Sequence, residues 1–194
     1  MGKKIRLVCG VGVNDADYPV TEYENGKQVW TCPYYRTWTG MLKRGYSDKL
    51  KKKHPTYRDA TVCKEWHSFM RFRAWMMQQD WEGKELDKDI LFQGNKEYSP
   101  TTCVFVDVVV NLFLTDCAAA RGDWPIGVHW HEQNKKFISR CSNPFTKKRE
   151  HLGCFHCPNQ AHLAWKKRKH ELSCQLADIQ TDERVAEALR TRYK

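Results

Sequence analysis

The chain has 194 residues, with 33 Lys and Arg against 23 Asp and Glu, so its formal net charge is +10. Hydrophobic residues make up 41% of it, including eight each of Trp, Tyr and Phe, which is too much apolar surface for a disordered chain. Because no apolar run is long enough to cross a bilayer and no apolar signal segment follows the first residues, the sequence predicts a globular cytoplasmic protein without a membrane partner.

The first part of the chain is predicted to change from short strands to helices. Residues 1–33 have an irregular pattern in which Asn25 and Gly26 form a tight turn, and their role is left open. Apolar residues then recur at helical spacing over 33–46 and again over 63–75. This spacing predicts two helices joined by a basic loop, with the aromatic side chains forming the core.

The next segment is predicted to be two strands followed by a helix. Residues 86–91 carry charges at alternate positions and 103–106 are mostly apolar, both typical of short strands. Asp107 is placed to cap a helix over 108–120. The order strand, strand, helix is a ββα unit, which we assign with the preceding helices to one domain over 34–120.

Residues 121–194 are predicted to form a second domain after a linker at 121–125. Three short strands come first, and they span residues 127–131, 136–141 and 150–155. A long helix then begins at Pro158, and a last helix covers 181–192. The predicted fold class is therefore α+β, with a small three-stranded antiparallel sheet packed on one helix.

Positive charge is concentrated in two stretches of the chain. Residues 125–170 hold ten Lys and Arg against two Glu, together with six of the eight His. Residues 43–53 hold six cations against Asp48. Two such patches with aromatic residues between them indicate a polyanion as partner, nucleic acid in particular. The alternative for each patch is a solvated surface without a partner.

The nine cysteines are expected to be free thiols, because no secretion signal places the chain in an oxidising compartment. Cys154 and Cys157 form a Cys-x-x-Cys pair near His151 and His156. One such pair is a weak signal, since a structural zinc site needs four ligands. Zinc is therefore not expected.

The ββα segment resembles the HNH (His-Me finger) endonucleases, in a branch common among phage-encoded proteins. The similarity is carried by Leu-Asp-Lys-Asp-Ile-Leu at 86–91, Gly-Asn-Lys at 94–96, Tyr-Ser-Pro-x-x-Cys-x-Phe-Val at 98–106, and Asn111. Earlier positions match the same branch, and they are Tyr34, Trp38, Met41, Leu42, Arg44, Pro55, Tyr57, Cys63, Glu65, Trp66 and Phe69. The resemblance implies a ββα-metal core with flanking helices.

This resemblance also implies a catalytic site. Asp87 and Asn111 stand where the family holds one divalent cation, Mg²⁺ or Mn²⁺, and Asp89 adjoins them. Lys88 stands in place of the family's general-base His, and Cys103 in place of an orienting Asn. A protonated lysine cannot accept a proton from water, so Lys88 is expected to act on the phosphate electrostatically, or as a base if burial favours its neutral form. Other candidates for the base are His67 and His54.

A second resemblance covers residues 124–176. The pattern Gly-Val-His-Trp-His at 127–131, Lys-Phe at 136–137, His-Leu-Gly-Cys-Phe at 151–155, and alanines 161 and 164 is similar to the DNA-binding domain of plant ethylene-response factors. That domain also occurs fused to phage homing endonucleases. The resemblance implies a sheet lying in the major groove, with Trp130, Phe137 and Phe155 packed on the helix. The implied DNA-binding residues are His129, His131, Lys136, Arg140, Ser142, Arg149 and His151, and Arg44 is added to them from the first basic stretch.

Together the two resemblances imply a metal-dependent, site-directed endonuclease that cuts or nicks double-stranded DNA and has no small-molecule substrate. The departures at Lys88 and Cys103 leave open a DNA-binding protein of the same family that has lost cleavage. A third alternative is an interaction protein that binds a phage or host factor through its basic faces. The oligomeric state is left open, and a phage-encoded protein is expected in the host cytoplasm.

Overall fold

A computed structural model describes residues 6–115 and 123–194, which form two compact units, Met1–Val106 and Asp107–Lys194. Both units combine α-helices with small β-sheets, so the α+β class is confirmed. The division falls earlier than the boundary expected at 120/121, so the helix of the predicted ββα unit is grouped with the C-terminal unit. Part of the expected linker, and the end of the helix predicted over 108–120, lie outside the described residues.

The described part of the first unit contains three α-helices and six short strands. The helices are α1 (Pro33–Tyr46), α2 (Asp48–Lys53) and α3 (Phe69–Met76). The strands are β1 (Thr21–Glu24), β2 (Lys27–Thr31), β3 (Thr61–Val62), β4 (Lys84–Asp87), β5 (Glu97–Tyr98) and β6 (Val104–Asp107). Strands β1 and β2 pair antiparallel, β3 pairs parallel with β5, and β4 pairs with β6.

Aromatic side chains form the core of the first unit, as the helical spacing predicted. Trp38, Trp66, Phe69 and Phe72 are fully buried. The rings of Trp38 and Phe69 lie 5.5 Å apart, and those of Trp66 and Phe72 lie 5.1 Å apart. The indole of Trp38 also donates a hydrogen bond to the Trp66 carbonyl at 2.7 Å, so the polar edge of this ring is satisfied within the core.

The lysine-rich stretch after α1 is a helix, and the basic loop predicted there is wrong. The Ser47 side chain accepts a hydrogen bond from the Leu50 amide and caps α2 at its start. Asp48 lies in the first turn and three lysines lie in the last, an arrangement that the helix dipole favours. The predicted helix over 63–75 is also interrupted: Lys64–His67 is a 3₁₀ turn, and α3 begins only after it.

The second unit contains one three-stranded sheet and three helices within its described residues. The helices are α4 (Val108–Leu114), α5 (Pro158–Ala177) and α6 (Glu183–Thr191). The strands are β7 (Val128–His131), β8 (Lys136–Ser142) and β9 (Arg149–Phe155). They pair antiparallel in the order β7-β8-β9, which confirms the predicted sheet.

Helix α5 covers one face of this sheet. Val128, Phe137 and Ala161 form a buried cluster between them. Gly127 precedes β7 with φ +81°, and a Cβ atom there would lie 2.1 Å from the ring of Trp165 on α5. Only glycine fits this close approach of the backbone to the indole.

The last helix packs on α5 through apolar residues and one buried hydrogen bond, in which the Ser173 hydroxyl donates to the Leu189 carbonyl at 2.7 Å. Asp182 caps α6 by accepting from the Arg184 amide, so this helix begins two residues after the predicted start at 181. None of the helices in the described ranges is both long and apolar enough to span a membrane.

Candidate functional site

The sheet β7-β8-β9 carries its predicted DNA-binding residues on one face. Directly opposed residues of paired strands share a face, and side chains alternate along each strand. The cross-strand pairs on this face are His129 with Ile138, His131 with Lys136, Arg140 with His151, and Ser142 with Arg149. All seven predicted residues of the sheet therefore share one face, which we call the cationic face, and Val128, Phe137 and helix α5 lie on the other.

A β-bulge in β9 sets which of its side chains lie on the cationic face. Ser139 lies opposite Gly153, but Arg140 lies opposite His151, so Leu152 is an extra residue on β9. Gly153 has φ +129°, a conformation that side chains rarely allow. A one-residue shift reverses the face of every later side chain, so the bulge decides which way His151 and Arg149 point.

The aromatic residues of the other face behave in two ways. Phe137 is buried, and Phe155 is partly buried against the cluster formed with α5, as predicted. Trp130 contacts Phe137 with ring centroids 4.8 Å apart but stays 37% exposed, and its indole donates to Glu132 at 2.6 Å. Trp130 therefore lies on the helix side of the sheet and contacts Phe137, but unlike Phe137 it is not buried.

The charges on the two faces differ in how they are used. Arg140 and Arg149 are exposed, and neither makes an ion pair within the described part of the chain. On the helix side, Arg168 holds the Glu150 carboxylate by two hydrogen bonds, at 2.6 and 3.0 Å. Burial lowers the pKa of His129, and the charges of Arg140, His131, Arg149 and His151 lower it further. The cationic face thus concentrates positive charge without neutralising it.

The turn after β4 contains the other group of predicted site residues. The Asp87 carboxylate accepts hydrogen bonds from the amides of Asp89 and Ile90 through one oxygen, at 2.6 and 2.7 Å. These bonds turn the chain, so β4 ends at Asp87 and the strand predicted over 86–91 is wrong beyond that residue. Burial raises the pKa of Asp87, while the two amides and the Lys88 charge oppose that change.

Lys88 is buried, and internal partners use its ammonium group. The Lys88 ammonium donates to the Asp89 carboxylate at 2.6 Å and to the Asn95 carbonyl at 2.8 Å, and lies 5.7 Å from the Tyr98 ring centre. The Asn95 amide donates back to the carbonyls of Lys88 and Glu97. Asn95 is the residue whose role the sequence did not predict, and its signal was the Gly-Asn-Lys motif at 94–96.

Cys103 and Arg44 lie near this turn in the first unit. Burial raises the pKa of Cys103 to about 12, and the nearby charge of Asp87 adds to that shift. The thiol is therefore protonated at neutral pH and is no nucleophile there. The Arg44 guanidinium lies 5.3 Å from the Tyr98 ring centre, so this residue, predicted to contact DNA, packs on an aromatic side chain.

Asn111, the second predicted metal ligand, is a partly buried residue of α4 and belongs to the second unit, whereas Asp87 belongs to the first. Helix α4 is held within its unit by Lys169, whose ammonium donates to the Phe113 carbonyl at 2.5 Å and lies 3.4 Å from the Phe113 ring centre. This contact explains why α4 is grouped with the C-terminal sheet and helices.

The two histidines considered as bases have other neighbours. The His67 ring nitrogen Nε2 lies 3.1 Å from the Tyr46 hydroxyl, which also bonds to the backbone of Val62. His54 is exposed, and its ring lies 6.2 Å from that of Tyr57. Both therefore have contacts that explain their presence without catalysis.

The donor set of the turn suits a hydrated divalent cation. Asp87 and Asp89 each keep one carboxylate oxygen that makes no hydrogen bond within the described residues. Mg²⁺ is typically held through one or two carboxylates together with substrate phosphates, and it retains several waters. No group of three or more His, Cys, Asp or Glu that could hold a metal occurs over 6–115 and 123–194. Cys154 Sγ lies 3.9 Å from His151 Nε2, without a third such ligand.

No protein-family model, curated protein or solved structure matches the chain. The resemblances to the HNH endonucleases and to the ethylene-response-factor domain therefore rest on the quoted motifs alone.

Proposed function

We propose that this protein binds double-stranded DNA through the cationic face of its C-terminal sheet. The observation that carries the proposal is the strand register, which puts seven basic or polar residues on the face opposite α5. A small sheet fits the major groove, and side chains at period two reach base edges and phosphates. Helix α5 supports the sheet from behind, so the contact surface does not have to be ordered on binding.

The side chains of the cationic face differ in the contacts that they can make with DNA. Arg140 and Arg149 supply fixed charge and planar donors that match phosphate and guanine. Ser142 supplies a hydroxyl that donates or accepts. Burial and the surrounding cations lower the pKa of His129, so this ring is a weak phosphate partner at neutral pH. His131 and His151 supply ring nitrogens that donate or accept hydrogen bonds. Lys136 adds a charge at the end of β8.

A salt titration of the full chain tests the proposal. Duplex binding, followed by fluorescence anisotropy, should weaken with salt by about −0.9 in log–log slope for each phosphate neutralised, with or without EDTA. Arg149→Ala should reduce affinity by roughly tenfold, because a good bidentate contact of arginine with a base is worth about 1–3 kcal/mol. Lys167→Ala removes one exposed cation from α5 and is the matched control, with affinity expected within twofold of wild type. A salt slope near zero, or equal losses in both variants, contradicts the proposal.

A second candidate function is metal-dependent DNA cleavage at the turn after β4. It is favoured by one specific arrangement: β4 pairs with β6, α4 begins directly after β6, and Asp87 ends β4 with a carboxylate oxygen free of hydrogen bonds. Asp87 and Asp89 are the residues of this turn that would hold a cation. When bound, such a cation offsets charge on the scissile phosphate and on its leaving oxygen.

The neighbouring residues have supporting roles in this candidate. Lys88 ties the Asp89 carboxylate to the Asn95 carbonyl on the far side of the loop, while backbone amides hold the Asp87 carboxylate. Cys103 remains a buried, neutral thiol and adds no charge to the site. The described contacts assign the water-activating base to none of these side chains.

A plasmid assay separates cleavage from binding. Supercoiled DNA is incubated with wild type and Mg²⁺ or Mn²⁺, with EDTA as the control. Asp87→Ala should abolish nicking and leave DNA affinity within a few-fold of wild type, since Asp87 supplies no positive charge. If wild type leaves DNA intact with every divalent ion tried, cleavage is rejected and the DNA-binding proposal stands by itself.

A further inference from the structure

The first unit has a basic surface of its own, at the end of α2. A cleft of about 480 Å³ there is lined by Asp48, Lys51, Lys52, Pro55 and Arg58, and we call it the basic cleft. We propose that the basic cleft is a second nucleic-acid contact, which takes the phosphate backbone without regard to base sequence. The choice of partner rests on the proposed DNA binding by the sheet, but the cleft lies on a different unit and has a different form.

The structure presents the cations of this region outward on a defined scaffold. Lys49, Lys52 and Lys53 are spaced three and four residues apart on α2, so they share one side of the helix. All three are exposed, as is Arg58 after the turn Pro55–Tyr57. None of these four makes an ion pair within the described residues, so their charge is available to a partner.

One lysine of the cleft fixes the helix instead. The Lys51 ammonium donates to the Ala60 carbonyl at 3.3 Å and ties α2 to the chain just before β3. The Ser47 cap fixes the other end of α2. The exposed cations are therefore carried on a helix that is anchored at both ends, which reduces the ordering cost of binding.

The distribution of charge in the cleft favours an extended polyanion over a single small anion. Its cations are spread over a helix and the following turn. Residues 43–59 hold seven cations against Asp48 and Asp59. A row of phosphates neutralises such a surface and releases counterions, whereas one phosphate meets only part of it.

The test uses the full chain and a duplex of unrelated sequence, with anisotropy measured over a range of salt. Lys52→Gln combined with Arg58→Gln removes two exposed cations and spares Lys51. Affinity should fall by roughly tenfold at moderate salt, and the log–log salt slope should become shallower by up to about 1.8. Lys52→Arg combined with Arg58→Lys keeps both charges and should bind like wild type. The loss should be the same on duplexes of different sequence.

A parallel variant, Arg140→Ala with Arg149→Ala, keeps the two proposals distinguishable. If only the sheet variant weakens binding, the cleft inference is overturned and the sheet proposal stands. If only the cleft variant weakens binding, the sheet proposal fails and the cleft is the main contact. If the cleft variant leaves DNA binding unchanged but loses binding to vesicles of anionic phospholipid, its partner is a lipid surface and the inference is overturned.

Discussion

Cations serve opposite purposes in the turn after β4 and on the C-terminal sheet. Lys88 is only 4% exposed, and a carboxylate, a carbonyl and an aromatic ring surround its ammonium. Arg140 and Arg149 are exposed and unpaired in the described residues. The charge of Lys88 is paired within the fold, whereas the charges of Arg140 and Arg149 are exposed to solvent. Net charge alone therefore does not locate a binding surface.

The difference has an energetic reason. A buried ammonium without partners costs several kcal/mol, so the fold must supply acceptors, and these then leave little field outside the protein. An exposed guanidinium has no such requirement and keeps its donors for a ligand. We therefore expect substitutions in the turn to change stability and substitutions on the cationic face to change affinity.

The largest expected effect is on Lys88. Lys88→Ala leaves the Asn95 carbonyl and Asp89 without their shared donor, and it should lower the free energy of unfolding by about 3 kcal/mol. DNA affinity of the folded variant should stay within twofold of wild type. Lys84→Ala is the matched control, because Lys84 pairs with the exposed Asp80 and its loss should cost under about 1 kcal/mol. Urea denaturation measures the free energy of unfolding of both variants. Equal losses in the two would show that the buried lysine does not stabilise the fold more than the surface one.

Lys169 tests whether a cation is held within the fold because it is buried or because of the unit in which it lies. It lies in the second unit, yet burial lowers its pKa to about 8. Between pH 8 and 10.5 the unfolded chain binds a proton that the folded chain has released, so stability should rise with pH by about 2 kcal/mol. Lys169→Met should remove this rise, and Lys167→Met should keep it. Denaturation at several pH values compares the slopes, and an unchanged slope in Lys169→Met contradicts burial as the cause.

Glu150 lies on the helix side of the sheet and is paired with Arg168, whereas Arg140 and Arg149 on the cationic face have no such partner in the described residues. Hydrogen bonds from Arg168 and then Asn143 lower its pKa to about 2, below the ordinary value of 4.5. The stabilisation is therefore present above pH 4.5 and is lost as the pH falls towards 2. Glu150→Gln should lower stability by about 1 kcal/mol at neutral pH and by nothing near pH 2. Glu171→Gln removes the other partner of Arg168 and should have the smaller effect in the same thermal unfolding series.

The smallest expected effect is on the pH dependence of binding. Burial and the surrounding cations lower the pKa of His129, so its ring is neutral at pH 7 in the free protein. DNA phosphates favour the charged ring, so the complex takes up a proton and affinity should rise as the pH falls to 5.5. His129→Gln should reduce this gain by about threefold. The anisotropy titration is run at both pH values, and an identical gain in the variant excludes His129 from the interface.

The sequence correctly predicted the turns and helices that are specified by neighbouring residues and do not depend on contacts with distant parts of the chain. The Asn25-Gly26 turn has two positive φ angles and forms the hairpin as expected. The apolar spacing of α1 and the proline at the start of α5 also gave these helices correctly. The wrong predictions came from side chains with backbone partners: the Ser47 cap made a helix of a basic stretch, and the Asp87 carboxylate ended a strand early.

The sequence by itself determined the α+β class, the three-stranded sheet and the alternation that puts Arg140 and Ser142 on one face. It did not determine the bulge at Leu152, the burial of Lys88 or the grouping of α4 with the second unit. Each of these depends on contacts between distant residues, such as the Lys169 ammonium at the Phe113 carbonyl. Periodicity reports which way a side chain faces along its own element, whereas only tertiary packing decides whether a charge on that face meets a partner or solvent.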